Sequence, residues 1–357
     1  MTFVRFFESR NSPEDAPLIL WLNGGPGCSS STGLFFELGP CRIADGGHNV
    51  TFNPYSWNTH ANIIFLDQPI NVGFSYSEDG SKIDTSQLAG KDVYAFLELF
   101  LNRFPEYSTQ PFHLAAESYG GTYAPHMASF IYEENQKIPF VSADLVKINL
   151  ASVIIGNGLT DAYTQFASIP DYLCEGPYPI FDNPDGPECT ALKSKATTCQ
   201  RLVKSCHIFK SRLVCVPAEL YCNTQLYSPI QCKCNWSFPC QTASLSCFTA
   251  SGLNPYDARR QCNPDEDGQL CYKQMNWIEK YMNNPKVKEA IGVSPQREYA
   301  ACNMGVNQGF VLQGDAVQDT PALLPELVNN GIKLLVYAGI AGKFHAYLSD
   351  AKYLPCR

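Results

Sequence analysis

The sequence predicts an α/β fold: a mostly parallel central sheet with helices on both faces, interrupted by a helical lid insertion stapled by disulfides. Three observations carry that prediction. Over the first 160 residues short apolar runs alternate with helical patterns. Between about residues 160 and 271 the texture changes, and Cys, Pro, Asn and short broken helices dominate. The alternating pattern then returns. Strand, helix, strand in this rhythm argues for parallel strands covered on both faces.

The apolar run 17–22 reads as a buried strand entering a Gly-rich loop, and 62–67 as a second strand. Val93, Phe96, Leu97, Phe100, Leu101 and Phe104 recur at helical spacing, and Pro105 ends that helix. Segments 111–116 and 147–155 read as further strands. Late in the chain, 277–291 is helical with Pro285 as a break, 321–329 is a helix capped by Gly331, and 332–337 is a strand. The expected organisation is a first core part at 1–159, a Cys-rich insertion at 160–275, and an incomplete second core part at 276–357. No internal repeat is present.

A chain of 357 residues with 45% apolar content can bury a sizeable core. The net charge is −8 and no basic stripe exists, which argues against nucleic-acid binding. Sixteen Cys are many for this length. Cys232 and Cys234 are too close for a zinc knuckle and no His pair follows, so neither a metal site nor a cofactor is implied. Disulfides of a secreted or vacuolar protein are the better reading. Sequons at Asn49 and Asn235 agree with it. Yet Arg5, Glu8 and Arg10 interrupt the N-terminus, so no export signal is visible, and no apolar run is long enough to span a membrane. A chain truncated at its start is the expectation.

Ala116-Glu117-Ser118-Tyr119-Gly120 follows a strand and opens a helix. A tight strand-to-helix turn lifts a serine hydroxyl clear of the backbone, and the helix N-terminus sets N–H groups beside it. Small residues are needed two before and two after the serine; Ala116 and Gly120 fit. On this motif alone, an ordinary strand-to-helix turn reads equally well. The second motif, WLNGGPGCSS at 21–30, is a Gly-rich loop lacking the Gly-Lys-Ser/Thr ending of a phosphate cradle. Its adjacent glycines expose N–H groups to a small anion.

Together WLNGGPGCSS and AESYGG resemble the serine carboxypeptidases. NPYSWNTHANIIFLDQPINVGFSYS, AGKDVYAFLELFLNRFPEY, IGNGLTDAYTQ, VKEAIGV and LLVYAG are similar to the same family, so the likeness runs from about residue 6 to 339. It implies an α/β-hydrolase fold and removal of C-terminal residues from peptides. Ser118 would be the nucleophile, and the N–H groups of Gly25 and Tyr119 the oxyanion hole. Asn23, supported by Trp21, would bind the substrate's terminal carboxylate with the Gly24 N–H, Glu37 and Glu117. Thr32, Phe36 and Tyr119 would line the flanking pockets. Two adjacent carboxyls cannot easily both ionise, so the Glu pair would hold a proton and donate to that carboxylate. Without the resemblance, a capping Glu117 and a surface Glu37 are the plainer reading.

The resemblance also implies pairs Cys28–Cys302, Cys174–Cys189, Cys199–Cys222, Cys206–Cys215 and Cys262–Cys271. Cys41, Cys232, Cys234, Cys240, Cys247 and Cys356 are left over. Residues 229–248 have no family counterpart, and the flanks read through without them; translated intron rather than a genuine loop is expected.

A serine nucleophile needs a His base and an orienting acid. Gly342 stands where the resemblance places the acid, and no Gly-His segment follows before Arg357. His48, His60, His113, His126 and His207 read as structural or surface residues. His345, with Asp350 as a substitute acid, is the one candidate near the right edge of the sheet. A change of frame or splicing after Gly339 is the simplest account. Three readings follow: a serine carboxypeptidase acting on peptides or proteins with a free C-terminus, a non-catalytic binder of peptide C-termini, and a related acyltransferase. The expected location is the secretory pathway, in a vacuole lumen or outside the cell. Oligomeric state is not legible.

Overall fold

Leu18–Leu22 and Asn62–Asp67 are buried at every position, which only an inner strand of a sheet covered on both faces requires. In the computed structural model, which describes residues 1–141, 145–181, 183–227, 252–268 and 270–342, both lie in a six-stranded sheet. Its strands are β1 (Phe3–Phe7), β2 (Leu18–Leu22), β5 (Asn62–Asp67), β6 (Phe112–Glu117), β7 (Leu150–Gly156) and β8 (Lys333–Tyr337). The order is β1-β5-β2-β6-β7-β8, parallel except for the antiparallel edge strand β1. A two-stranded antiparallel ribbon, β3 (Cys41–Ala44) with β4 (Asn49–Phe52), stands apart from it.

Alternation along the strands sorts side chains between two faces. Ile19, Trp21, Ile63, Phe65 and Ala115 join Phe35, Ile278, Met282 and Tyr299 in one core cluster. On the other side α2 (Gly120–Val141) packs on β6 and β7, and α1 (Ser86–Arg103) packs on α2. Thr85 caps α1 by accepting from Leu88 N, and the helix ends before Pro105.

The chain divides into two compact units. One comprises Met1–Thr160, Gln274–Phe310 and Thr320–Tyr337 and contains the sheet. The other comprises Asp161–Lys273, Val311–Asp319 and the described residues from Ala338 on. Its core gathers α3 (Ala162–Glu175), α4 (Pro187–Phe209) and α5 (Arg212–Cys222) around buried Phe166, Leu192, Val203 and Leu226. Disulfides Cys174–Cys189, Cys199–Cys222 and Cys206–Cys215 join these helices, and Cys262–Cys271 closes a short loop. A fifth, Cys28–Cys302, lies in the sheet unit. Cys41 is a half-buried free thiol.

Several boundaries differ from the sequence reading. The strand expected at 147–155 forms at Leu150–Gly156, because Lys147 to Asn149 precede the first rung of the ladder. The helix expected at 277–291 is two helices, Lys273–Met282 and Pro285–Ala290, the second capped by Asn284. The helix expected at 321–329 opens as a tight turn, Thr320–Leu323, and becomes α-helical only at Leu324–Asn329. β1 and the β3–β4 ribbon were not anticipated. Residues 229–248, Asn235, His345, Asp350, Cys232, Cys234, Cys240, Cys247 and Cys356 lie outside the described residues.

Candidate active site

β2 sits between β5 and β6, and the chain leaves it first to one side and then to the other. At such a switch point the loops leaving the carboxyl ends of two adjacent strands diverge and open a crevice. Here those loops are the Gly-rich segment after Leu22 and the turn after Glu117.

Ser118 has φ of 58°, a left-handed conformation rare for a residue with a side chain. The surroundings fix it: Ser118 N donates to Gly156 O at 3.1 Å, and Ser118 O accepts from Leu159 N at 2.9 Å and Gly121 N at 3.0 Å. The turn brings Ala116 and Gly120 together, so that a Cβ on Gly120 would lie 2.6 Å from the Ala116 Cβ. The half-buried Ser118 side chain accepts no hydrogen bond from the described residues.

The Gly-rich loop lies directly against this turn. A Cβ on Gly24 would stand 2.3 Å from Tyr119 N and 2.8 Å from Glu117 O. Gly25, exposed and at φ of 112°, follows immediately. Three consecutive serines hold the loop down. Ser29 Oγ donates to Asp67 Oδ1, Ser30 Oγ donates to Leu66 O at 2.7 Å, and Ser31 Oγ accepts from Arg5 Nη1 at 2.6 Å. Asp67 also accepts from Phe74 N at 3.0 Å and faces Arg5 at 3.7 Å. Cys28–Cys302 ties the loop from its other side.

Asn23, at 3% exposure, organises the adjoining cluster. Its Oδ1 accepts from Trp21 Nε1 at 3.1 Å and Gly33 N at 2.8 Å. Its Nδ2 donates to Glu117 Oε1 at 2.7 Å and Glu37 Oε1 at 3.1 Å. Burial, then the neighbouring Glu117, holds the Glu37 carboxyl well above the usual carboxylate range. Burial raises Glu117 too, but the hydrogen bonds from Glu37 and Asn23 oppose it. Both carboxyls are raised, so the pair shares a proton to higher pH than an ordinary carboxylate would. Thr32 and Phe36 are half-buried at the ends of the helical turn Gly33–Glu37, and Tyr119 packs edge-to-face on Tyr123 and Phe310.

The described histidines lie elsewhere. His113 Nδ1 bonds Ser152 Oγ at 2.6 Å, and burial, then Lys333, lowers its pKa. Burial pushes His126, inside α2, down to about 4. His48 Nε2 lies 2.8 Å from Lys280 Nζ, and His207 is 3.9 Å from Asp319. His60 is exposed, as is Asn49 of the first sequon. Gly342 is half-buried in the second unit. Among the described residues no His, Cys, Asp and Glu cluster suits a metal ion, and no helix is long and apolar enough to cross a membrane. Sequence reasoning did not identify Arg5, Asp67 and Ser29 to Ser31 as supports of the loop. Only the Ser run beside a Gly-rich motif hinted at them.

Comparison with known proteins gives the family and the fold. A carboxypeptidase Y homolog A from Uncinocarpus reesii is 44% identical over 340 residues, which cover 95% of this chain. Its counterpart from Coccidioides posadasii is 43% identical over the same length. The chain spans about half, 56%, of the length of these curated relatives. The crystal structure of a prohormone-processing carboxypeptidase from Saccharomyces cerevisiae superimposes with a TM-score of 0.76 at 26% identity, covering 96% of this chain and 69% of that one. The fold is thus that of the α/β hydrolases. The serine carboxypeptidase family model matches residues 1–354, and the chain belongs to that family.

Proposed function

We propose that the protein is a serine-type carboxypeptidase that releases C-terminal residues from peptides and proteins through an acyl-enzyme. The observation that carries this reading is the Asn23, Glu37 and Glu117 cluster one residue from the left-handed Ser118. Ser118 Oγ attacks the scissile carbonyl. The N–H groups of Gly25 and Tyr119 stabilise the oxyanion as it develops. The leaving amino acid departs, and water then hydrolyses the ester on Ser118. Asn23, the Gly24 N–H and the proton-sharing pair Glu37 and Glu117 bind the terminal carboxylate, and Trp21 orients Asn23. A neutral carboxyl can donate to a carboxylate where an ionised one would repel it. Thr32, Phe36 and Tyr119 line the neighbouring pockets. The disulfides and the exposed Asn49 sequon support an oxidising compartment, the secretory pathway with a vacuole lumen or the cell exterior as its end point.

Ser118 must lose its proton to a base. His345 and Asp350, the candidates after β8, lie outside the described residues. A second reading follows from the Ser118 surroundings: with no imidazole bonded to it among the described residues, the site binds peptide C-termini without turnover. A fluorophosphonate reagent separates the two. The enzyme reading expects phosphonylation mapped by mass spectrometry to Ser118 and blocked by a peptide with a free C-terminus. An unlabelled Ser118 in protein that still binds that peptide selects the second reading.

A further inference from the structure

The sheet register places a further polar group on the carboxylate side of the site. In the ladder, Glu117 is opposite Gly156, and Gly156 is opposite Tyr337. Residues opposite one another in neighbouring strands project from the same face. Two rungs earlier the same face carries Trp21, Ala115, Ile154 and Leu335. The last paired row is therefore Glu117, Gly156 and Tyr337, and Asn23, the residue after β2, joins it through its 2.7 Å bond to Glu117.

Gly156 leaves a gap in that row, and Tyr337 fills it. A Cβ on Gly156 would lie 2.4 Å from both Cζ and the hydroxyl oxygen of Tyr337. The phenol thus lies across β7 with its hydroxyl end toward β6. Glu117 stands on the next strand of that face, opposite Gly156. Tyr337 is 41% exposed, and its hydroxyl makes no hydrogen bond among the described residues.

We propose that Tyr337 is a substrate-binding residue whose hydroxyl donates to the terminal carboxylate of a peptide held by Asn23, Glu37 and Glu117. This rests on the reading of that cluster as a terminal-carboxylate subsite. Burial, then the charges of Glu117 and Glu37, pushes the Tyr337 phenol up to about 12. Raised that far, it stays a protonated donor through the acidic and neutral range. Gly156 acquires a reason as well: any side chain there would occupy the place of the phenol.

The test is titration calorimetry with an N-acetylated dipeptide and its C-terminal amide, in a Ser118→Ala background where no peptide is consumed. The background protein is expected to prefer the acid. Tyr337→Phe keeps the ring over Gly156 and removes only the donor. It should weaken the acid about ten-fold, the scale of one hydrogen bond to a charged group, and leave the amide within about two-fold. Gly156→Ala, which displaces the ring without altering it, should show the same selective loss. An unchanged preference for the acid in Tyr337→Phe overturns the assignment of Tyr337 alone. Equal binding of acid and amide by the background protein overturns the subsite reading, and this proposal with it.

Discussion

Asn23 Nδ2 donates to Glu117 Oε1 at 2.7 Å, and this bond fastens the end of β2 to the last residue of β6. The two residues are 94 positions apart in sequence. The same amide accepts from Trp21 Nε1 and Gly33 N, so one buried side chain satisfies two donors and faces two carboxyls. Asn23→Ala leaves both buried donors unpaired. Each costs about 1–3 kcal/mol, and a loss of about 2–6 kcal/mol in unfolding free energy is expected from urea titration. A loss below about 0.5 kcal/mol, the scatter of an ordinary surface change, would remove Asn23 as the organiser of the cluster.

The turn at Ser118 makes a steric prediction. Gly120→Ala places a methyl group 2.6 Å from the Ala116 Cβ and should destabilise by about 1–3 kcal/mol. Pairing it with Ala116→Gly removes the opposing methyl and should recover part of that loss. The check is a double-mutant cycle in chemical denaturation, which should show coupling rather than additivity.

Burial raises both Glu37 and Glu117, and Glu117 adds to the rise of Glu37. A carboxyl whose folded pKa is raised stays protonated when the unfolded chain has already ionised. The folded state then binds more protons, so its stability falls as pH rises. The contribution is intact below the ordinary value of 4.5 and is lost as pH climbs through the raised folded values. Glu37→Gln cannot ionise, and its unfolding free energy should decline less steeply over that window than the parent's. Burial of Glu219 acts with the same sign in both proteins, so the difference between their slopes isolates the pair. Parallel slopes would show that the pair does not share a proton.

Cys28–Cys302 spans 274 residues and anchors the Gly-rich loop to a distant part of the chain. Replacing both cysteines with Ser frees a long loop in the unfolded state and should cost about 2–5 kcal/mol. Differential scanning calorimetry should show a lower Tm for the double Ser variant. An unaltered Tm would mean that the three serines and Asp67 suffice to seat the loop.

Much of this was legible because inner strands announce themselves. β2 and β5 are apolar at every position since both faces are covered, and Phe100 and Leu101 repeat with the period of α1. β1 was hidden by Arg5, a charge that reads as exposed but is paired with Asp67 and Ser31 within the fold. The β3–β4 ribbon has mixed burial and no clean alternation. In the site, Ser118 and the Gly-rich loop carry local motifs. Asp67 and Tyr337 lie within segments similar to the family, NPYSWNTHANIIFLDQPINVGFSYS and LLVYAG, but nothing in those segments marks a role for either: their neighbours are decided by strand register, which joins residues far apart in sequence and is set only when the sheet assembles.

The most direct measurement of the central claim follows product release by mass spectrometry from an N-acetylated dipeptide, its C-terminal amide, and both with Ser118→Ala. The account predicts release of the C-terminal residue from the acid, far slower release from the amide, and none from either with Ser118→Ala. Binding of the acid without any release, or release that persists in Ser118→Ala, would contradict it.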